Sequence, residues 1–338
     1  MVLFIVLVTI LWGLAISEKR SLCTFSHSKA SSLRFVLSII VVIHHLAVHG
    51  DVEALSMFSR WGNIAVALFF FMSGYGLTKS YYLKGDLYLN NFIKHRVFEV
   101  IMLPYLFILI CQIIWLGEKI PTLQEYFIGL TLGRILVPNG WYVIIMVILY
   151  LVWYIVFKYV NSHKVFAITI SVIICILVLL IANFPRYWYT TMLAFPVGII
   201  YSNNEDNLVA WLNNHRAIIW LVPTCMIVVI SCFLCHNVVA SMIAFIFIIL
   251  ALIFLFASLK IELIIKYKFM AYLSTISYDV YLCHGLIMEI FRGKIKSLYI
   301  NSDLIYVMVV IFITILSASL LHSFCSLFRR IWEKQKAQ

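Results

Sequence analysis

Charged side chains are scarce in this sequence. Asp, Glu, Lys and Arg together make up 12% of the 338 residues, and there are only 6 prolines and 13 glycines. A soluble globular domain has about 25% charged residues, because its surface must stay hydrated around the core. The shortage of charge therefore excludes a soluble domain. The apolar, glycine-poor composition also excludes disordered and collagen-like chains.

Hydrophobic residues supply 64% of the chain, which has a mean hydropathy of +1.05. A helical run of about 20 apolar residues crosses the hydrocarbon core of a bilayer. The sequence therefore predicts an all-α, polytopic membrane protein with one membrane domain over residues 1–338. The eleven predicted spans are 1–17, 33–50, 62–79, 100–117, 140–158, 164–182, 187–201, 217–234, 238–258, 272–291 and 303–327.

Basic residues concentrate in short loops on one side of this arrangement. Such loops face the cytoplasm in membrane proteins, so we expect the amino terminus outside and the carboxyl terminus inside. Loop 292–302, which holds Arg292, is the exception. The net charge of +11 thus reflects topology, and no nucleic-acid partner is predicted. The basic loops are 18–32, 79–99, 259–271 and the tail after residue 327.

The cysteines and histidines give no strong metal or cofactor signal. No outer loop holds a cysteine pair that would predict a disulfide framework. Cys232, Cys235 and His236 match the spacing of c-type haem attachment, but the sequence indicates no second axial ligand. No histidine pair has zinc-type spacing with a nearby carboxylate. We therefore expect neither a bound metal nor a resident cofactor.

The second predicted span carries ionisable residues on one helical face. Arg34 and His45 are eleven positions apart, which is within about 20° of three full turns and corresponds to a rise of about 16 Å. A shielded imidazole suits a general base, and a guanidinium at the cytoplasmic rim suits a phosphate-bearing ligand. The alternative is a structural histidine bonded to a neighbouring helix, with an arginine that anchors the helix end.

Two further spans contain polar groups. Ser277, Tyr281 and His284 form one stripe of the tenth predicted helix, either lining a cavity or bonding neighbouring helices. Asp279 lies on another face, so a dyad with His284 is not expected. Around Ser73, small residues favour close helix packing over a nucleophilic serine.

Three blocks occur in order along the chain and together resemble the acyltransferase-3 family of integral-membrane acyltransferases. They are Leu33-Arg34 with His45 after ten intervening residues, the Phe-Phe-x-x-Ser-Gly block that ends at Ser73-Gly74, and Ser277-Tyr278-x-x-Tyr281-Leu-x-His284. The Trp141-Tyr142 helix start is also similar to the family. The resemblance covers about residues 30–327. It implies the usual ten-helix bundle, with 1–17 as one extra amino-terminal helix.

The resemblance implies an O-acyltransferase of the bacterial cytoplasmic membrane. It would move an acyl group, expected to be acetyl, from cytoplasmic acyl-CoA to a hydroxyl of an envelope glycan or lipid-linked sugar. His45 and Arg34 would be catalytic, with His45 as base or acyl carrier, and Arg34, Lys94 and Arg96 would bind the donor. The residues expected to line the cavity or position the acceptor are Ser73, Trp141, Tyr142, Ser277, Tyr278 and His284.

Two positions depart from the family pattern. Family members usually have Arg-x-x-Arg before a proline on the cytoplasmic loop, but here the second arginine position holds Glu99, ahead of Pro104. The acid found in many members before Phe-Phe is Ala67. With these departures, the sequence is also compatible with a less active or inactive member of the family.

Two non-acyltransferase functions are also compatible with many helices and few buried polar groups. A glycan translocase would be expected to show internal pseudo-symmetry, which the sequence does not reveal. An envelope polysaccharide polymerase usually has a large outer loop with arginines, whereas 118–139 contains only Lys119 and Arg134.

Overall fold

The structure is a computed structural model that describes residues 27–117, 136–214, 238–258, 268–294 and 297–337, with residues 122, 124, 125, 128 and 129 between them. All regular structure within these residues is helical. The principal helices are α1 (His27–Val48), α2 (Trp61–Lys84), α3 (Leu103–Leu116), α4 (Trp141–Tyr159), α5 (Lys164–Ile181), α6 (Ala194–Asn214), α7 (Val238–Ser258), α8 (Lys268–Thr275), α9 (Ser277–Arg292) and α10 (Asp303–Ala337).

Short elements join these helices. A 3-10 turn, Glu53–Phe58, connects α1 to α2, and a single helical turn, Asp86–Asn90, follows α2. A π-helical stretch, Ile93–Met102, then runs directly into α3, where Pro104 stands in the first turn. Pro104 has no N–H to continue the backbone hydrogen bonds of the π-helical stretch, and it stands at the junction of the two helical segments.

Several helices are apolar enough to lie in a bilayer. Five in the described residues are long enough to cross one. Two shorter apolar stretches, Leu33–Val48 of α1 and Val238–Leu250 of α7, accompany them. The part of the chain that the structure describes is therefore all-helical and of membrane-protein character. Predicted spans 1–17 and 217–234 lie outside the described residues, so the count of about eleven crossings stays a prediction. The five are Trp61–Lys84, Ile93–Leu116, Trp141–Tyr159, Lys164–Ile181 and Asp303–Trp332.

The predicted span 187–201 differs from the observed helix. A 3-10 turn occupies Arg186–Trp188, and α6 begins only at Ala194 and continues to Asn214. Pro196 fits the first turn of α6, since its missing N–H would have no partner there. The helix thus starts later and extends further than the hydrophobic run indicates.

Helices α2 and α6 pack with their backbones close together. A Cβ added to Gly74 would overlap the carbonyl oxygen of Phe195, and one added to Gly198 would overlap that of Phe71. Small residues at a helix crossing allow this approach, as is common in membrane bundles. The sequence-based prediction that Gly74 serves helix packing is confirmed.

A polar cluster binds the same two helices further along. The Tyr75 hydroxyl donates to Glu205 at 2.9 Å, and the Lys79 ammonium lies 3.0 Å from the same carboxylate. Glu205 is buried, so its charge depends on these partners. The contacts fix the register of α2 against α6.

We expect Gly74→Ala to lower the free energy of unfolding by about 1–3 kcal/mol, because the new methyl group forces the two backbones apart. Gly76→Ala is the matched control on the same helix, since no atom lies within 4 Å of its added Cβ. Thermal unfolding in detergent, followed by circular dichroism, compares them. Equal melting temperatures for the two variants would contradict the close crossing.

Candidate active site

A cavity of about 840 Å³ lies where the carboxyl-terminal ends of α1 and α9 meet the amino-terminal ends of α2, α4 and α10. Its wall combines histidines, amides and charged groups with aromatic rings. Trp141 and Tyr187 form part of the wall, with ring centroids 5.3 Å apart. The polar and charged lining residues are His44, His45, His49, Ser59, Asn63, Asn139, Glu289, Arg292 and Lys294.

Three histidine rings form a column beside this cavity. The His45 ring stacks on His284, with centroids 5.1 Å apart and planes inclined by 22°, and on His49 at 5.4 Å and 15°. His45 is only 9% exposed and His284 is fully buried. His45 and His284, which are 239 positions apart in the sequence, are therefore direct neighbours at the site.

The adjacent His44 takes a different direction from the column. Its Nδ1 lies 3.3 Å from the Phe58 carbonyl oxygen. Its ring packs against Gly62, where an added Cβ would overlap it. His44 thus fixes the end of α1 to the start of α2, and His45 is left facing His284.

Both ring nitrogens of His284 have partners. Nδ1 contacts the Tyr281 carbonyl oxygen, one turn earlier in α9, and Nε2 lies 3.3 Å from the side-chain nitrogen of Asn139. A neutral ring fits these partners when Nδ1–H donates to the carbonyl and Nε2 accepts from the amide. The arrangement fixes one tautomer and one ring orientation.

The turn before α4 positions Asn139. Asn139 has a left-handed backbone with φ of 63°, which asparagine tolerates better than most residues. Its carbonyl accepts a hydrogen bond from the Tyr281 hydroxyl. The neighbouring Pro138 rests on Gly285, where a Cβ would lie 2.7 Å from the Pro138 carbonyl oxygen.

His45 has a buried Nδ1 that finds no hydrogen-bond partner among the described residues. Native interiors rarely leave a polar nitrogen without a partner, because its desolvation costs about 1–3 kcal/mol. The His45 ring itself lines the cavity, where an imidazole suits proton exchange with a bound hydroxyl group.

Arg34 lies three turns before His45 on α1, within a second cluster of polar residues. It interacts electrostatically with Tyr142, Tyr150 and Arg96. The Arg96 guanidinium lies 5.8 Å from the centre of the Tyr88 ring. Among the residues that the structure describes, neither guanidinium forms an ion pair. Two neighbouring cations without a carboxylate suit a phosphate-bearing ligand.

The other predicted site residues fall into two groups. Trp141 lines the cavity, whereas Tyr142 is buried and packs its ring against Tyr281, with centroids 5.1 Å apart. Ser73 donates to the Met146 sulfur at 3.6 Å. Ser277 instead bonds the Ser274 carbonyl at 3.0 Å, and Tyr278 bonds the Ile101 carbonyl at 3.0 Å. The alternative prediction for the Ser277 stripe was hydrogen bonds to neighbouring helices; the Ser277 contact is local instead, and Tyr278, outside that stripe, makes the contact to another helix.

A known protein family matches most of the chain. The acyltransferase domain of the acyltransferase-3 family matches residues 31–323. The chain belongs to the acyltransferase-3 family. It is thus a membrane acyltransferase in the general sense. No curated protein and no solved structure shows a significant match.

At the family's second arginine position this chain has Glu99, which pairs with neighbouring residues of its own helical segment. Glu99 accepts from His95 at 2.9 Å and lies 3.4 Å from the Lys94 ammonium. Lys94 is 44% exposed and paired with this carboxylate, so the structure does not bring it to Arg34 as it does Arg96. Ala67, at the position of the family acid, is buried in α2.

Sequence reasoning missed several partners of the site residues. Asp279, which was not expected to pair with His284, contacts His322 of α10 at 2.9 Å. Glu289 accepts from Gln112 at 2.5 Å. These partners are far apart in sequence, and no local pattern joins them. The Pro138-Asn139-Gly140 turn is different, because its composition before a helix could have flagged Asn139.

Arg292, the basic residue in the predicted outer loop 292–302, has a structural role. It joins α9 to the ends of α1 and α10, and its guanidinium lies 4.2 Å from the Tyr306 ring centroid. Its hydrogen bonds involve Nε and both terminal nitrogens, so Arg292 stabilises the packing of these helix ends. It donates to the carbonyls of Gly50 (2.9 Å), Ile300 (3.0 Å) and Asn301 (3.1 Å) and to Asp303 Oδ1 (2.7 Å).

We expect Arg292→Lys to lower the free energy of unfolding by about 2–4 kcal/mol, because an ammonium cannot reach all of these acceptors. Lys294→Gln, two positions on, should change it by less than about 0.5 kcal/mol, since none of those contacts involves Lys294. Thermal unfolding in detergent measures both. A melting temperature of Arg292→Lys equal to that of the unaltered protein would refute this role.

Proposed function

We propose that this family member is an O-acyltransferase that uses cytoplasmic acyl-CoA, with acetyl-CoA as the expected donor. The acceptor is a hydroxyl of an envelope glycan or lipid-linked sugar. The observation that carries the proposal is the arrangement of α1. One end of this helix presents Arg34 to a second arginine, and the other end presents His45 to a polar cavity.

The donor binds at the Arg34 end of α1 in this proposal. The predicted topology faces that end toward the cytoplasm, where acyl-CoA is made. Arg34 and Arg96 hold the CoA phosphates through charge-assisted hydrogen bonds, which are among the strongest that side chains form. Lys94 contributes from the exposed loop, with its charge partly offset by Glu99.

The acceptor enters the cavity from the outer side. Trp141 and Tyr187 offer flat aromatic faces, and Asn63 and Glu289 offer polar atoms, a combination that suits a sugar ring. A hydroxyl of the acceptor meets His45 at the cavity wall. This role assigns the enzyme to the bacterial cytoplasmic membrane, with its amino terminus outside and its carboxyl terminus inside.

His45 acts as the general base in the transfer. Its imidazole takes the proton from the acceptor hydroxyl while the hydroxyl oxygen attacks the thioester carbonyl. The carbon–sulfur bond then breaks, and the departing CoA thiolate takes the proton from His45. A second route transfers the acyl group first to a His45 nitrogen and then to the acceptor. No metal or resident cofactor is required for either route.

Exchange of His45 for Ala should abolish acyl transfer, because the group that accepts the proton is lost, while membrane insertion is retained. Alkali-labile acyl esters on envelope glycans measure transfer in a deletion strain complemented with each gene variant. His163→Asn is the control, since His163 lies in an exposed turn and has a left-handed backbone that Asn tolerates. Esters that persist in the His45→Ala strain would exclude the assigned role.

The same strains separate this function from the alternatives. Loss of esters in the deletion strain with rescue by the unaltered gene supports acyl transfer. Unchanged esters with an altered amount or chain length of glycan would instead indicate a translocase or a polymerase.

We expect Arg34→Gln to raise the KM for acyl-CoA by about tenfold or more, because a charge-assisted hydrogen bond contributes roughly 1.5–3 kcal/mol. Lys94→Gln should raise it by less than about threefold, since Glu99 already pairs with that lysine and the site is exposed. Initial rates in membrane vesicles at varied acyl-CoA give both values. A larger effect for Lys94→Gln would reverse the assignment.

A further inference from the structure

The His45 imidazole takes its orientation from ring packing. Its Nδ1 is buried and has no hydrogen-bond partner among the described residues. The ring stacks on His284, with planes inclined by 22°, and on His49, with planes inclined by 15°. His49 is exposed, whereas His284 is fully buried. The buried support of the His45 ring is therefore His284.

The His284 ring is in turn held by two contacts of different kinds. Its Nδ1 contacts the carbonyl oxygen of Tyr281, which belongs to the same helix, α9. Its Nε2 lies 3.3 Å from the side-chain nitrogen of Asn139, which belongs to the turn before α4. The Asn139 contact is thus the one that ties the ring to a second element of the fold.

The turn that carries Asn139 is fixed onto α9 at two further points. The Tyr281 hydroxyl donates to the Asn139 carbonyl, and Pro138 lies against Gly285, where an added Cβ would be 2.7 Å from the Pro138 carbonyl oxygen. Asn139 also lines the cavity beside His45. Backbone contacts therefore place the Asn139 amide against His284 at the wall of the site.

The direction of the hydrogen bond at His284 Nε2 decides the charge of the ring. An amide nitrogen donates, so Nε2 accepts, and the single proton of a neutral ring stays on Nδ1 for the Tyr281 carbonyl. His45 becomes an imidazolium when it takes the proton of an acceptor hydroxyl. A neutral neighbour tolerates that charge, whereas a second imidazolium in the stack would oppose it.

We propose that Asn139 is a positioning residue for the base: it holds His284 as a fixed, neutral ring, and that ring orients His45. The inference rests on the proposed acyltransferase function and adds a residue that acts through His284 and not on the substrate. Without the amide, His45 still lines the cavity, but the surface against which it stacks is no longer fixed. A displacement of about 1 Å in a reacting group can lower a rate about 100-fold.

Asn139→Asp tests this role, because Asp has nearly the same shape and also tolerates the left-handed backbone, but its carboxylate does not donate. Membranes from the complemented deletion strain contain the native acceptor. They are incubated with radiolabelled acetyl-CoA at varied concentration, and label in alkali-labile esters gives initial rates. The maximal rate should fall by about 10- to 100-fold. The KM for acetyl-CoA should change by less than about twofold, since donor binding is not affected.

Two companion variants make the result specific. Asn139→Gly keeps the left-handed backbone and removes the amide without adding charge, so it should lower the maximal rate similarly. It also covers the case that Asn139→Asp does not fold. Asn183→Asp is the matched control, because Asn183 has a left-handed backbone with φ of 56° in an exposed turn. It should keep the unaltered rate. Size-exclusion chromatography in detergent checks the fold of each variant.

A double-mutant cycle shows whether Asn139 acts through His284. His284→Phe keeps a ring in the stack but removes both nitrogens, so it should also lower the maximal rate. Asn139→Asp added to His284→Phe should lower the rate further by less than about threefold, because the contact at Nε2 is already lost.

The outcomes separate this inference from the function on which it rests. The same loss from Asn139→Asp in the presence and absence of the His284 nitrogens would overturn it, since Asn139 would then act by another route. An unaltered maximal rate in Asn139→Asp and Asn139→Gly, or a change confined to KM, would also overturn it and leave acyl transfer standing. No transfer from acetyl-CoA by the unaltered enzyme would overturn both this inference and the proposed donor.

Discussion

Polar groups in this protein lack water over most of their surroundings, and this constraint organises the bundle. A buried hydroxyl, amide or carboxylate needs a partner from the protein, because the hydrocarbon core offers none. Tyr278 meets this demand at the Ile101 carbonyl, and Asp279 meets it at His322. His45 Nδ1 and Arg96 Nε, both in the candidate site, are among the buried atoms without a partner in the described residues; others, such as the Thr314 hydroxyl, lie elsewhere in the bundle.

The same constraint explains which sequence-based predictions were successful. Apolar runs mark most helices of the described chain, because the lipid requirement acts on every residue of a run. The shared face of Arg34 and His45 follows from helical periodicity alone, and Gly74 could be assigned to packing because small residues have few other uses inside a helix. These properties are local, so a single sequence reveals them.

The remaining features depend on contacts between distant segments. Nothing near His284 in the sequence predicts that Asn139 contacts its ring, and nothing near Asp279 predicts His322. Glu99 likewise appears as a departure from the family pattern until its ion pair with Lys94 is known. Tyr142 was expected to line the cavity, but its burial against the rings of Phe70 and Tyr281 follows only from the packing of α4 against α2 and α9.

Because Arg34 and His45 share one continuous helix, their separation is set by a rigid rod and not by loop geometry. A residue added between them would rotate His45 by about 100° around the axis of α1 and carry it off the wall that faces His284. A change of one whole turn would restore the direction but shift the imidazole by about 5.4 Å along the axis. The interval of eleven residues therefore sets both the direction and the distance of His45 relative to Arg34. Neither the direction nor the distance can change while both side chains act on one substrate.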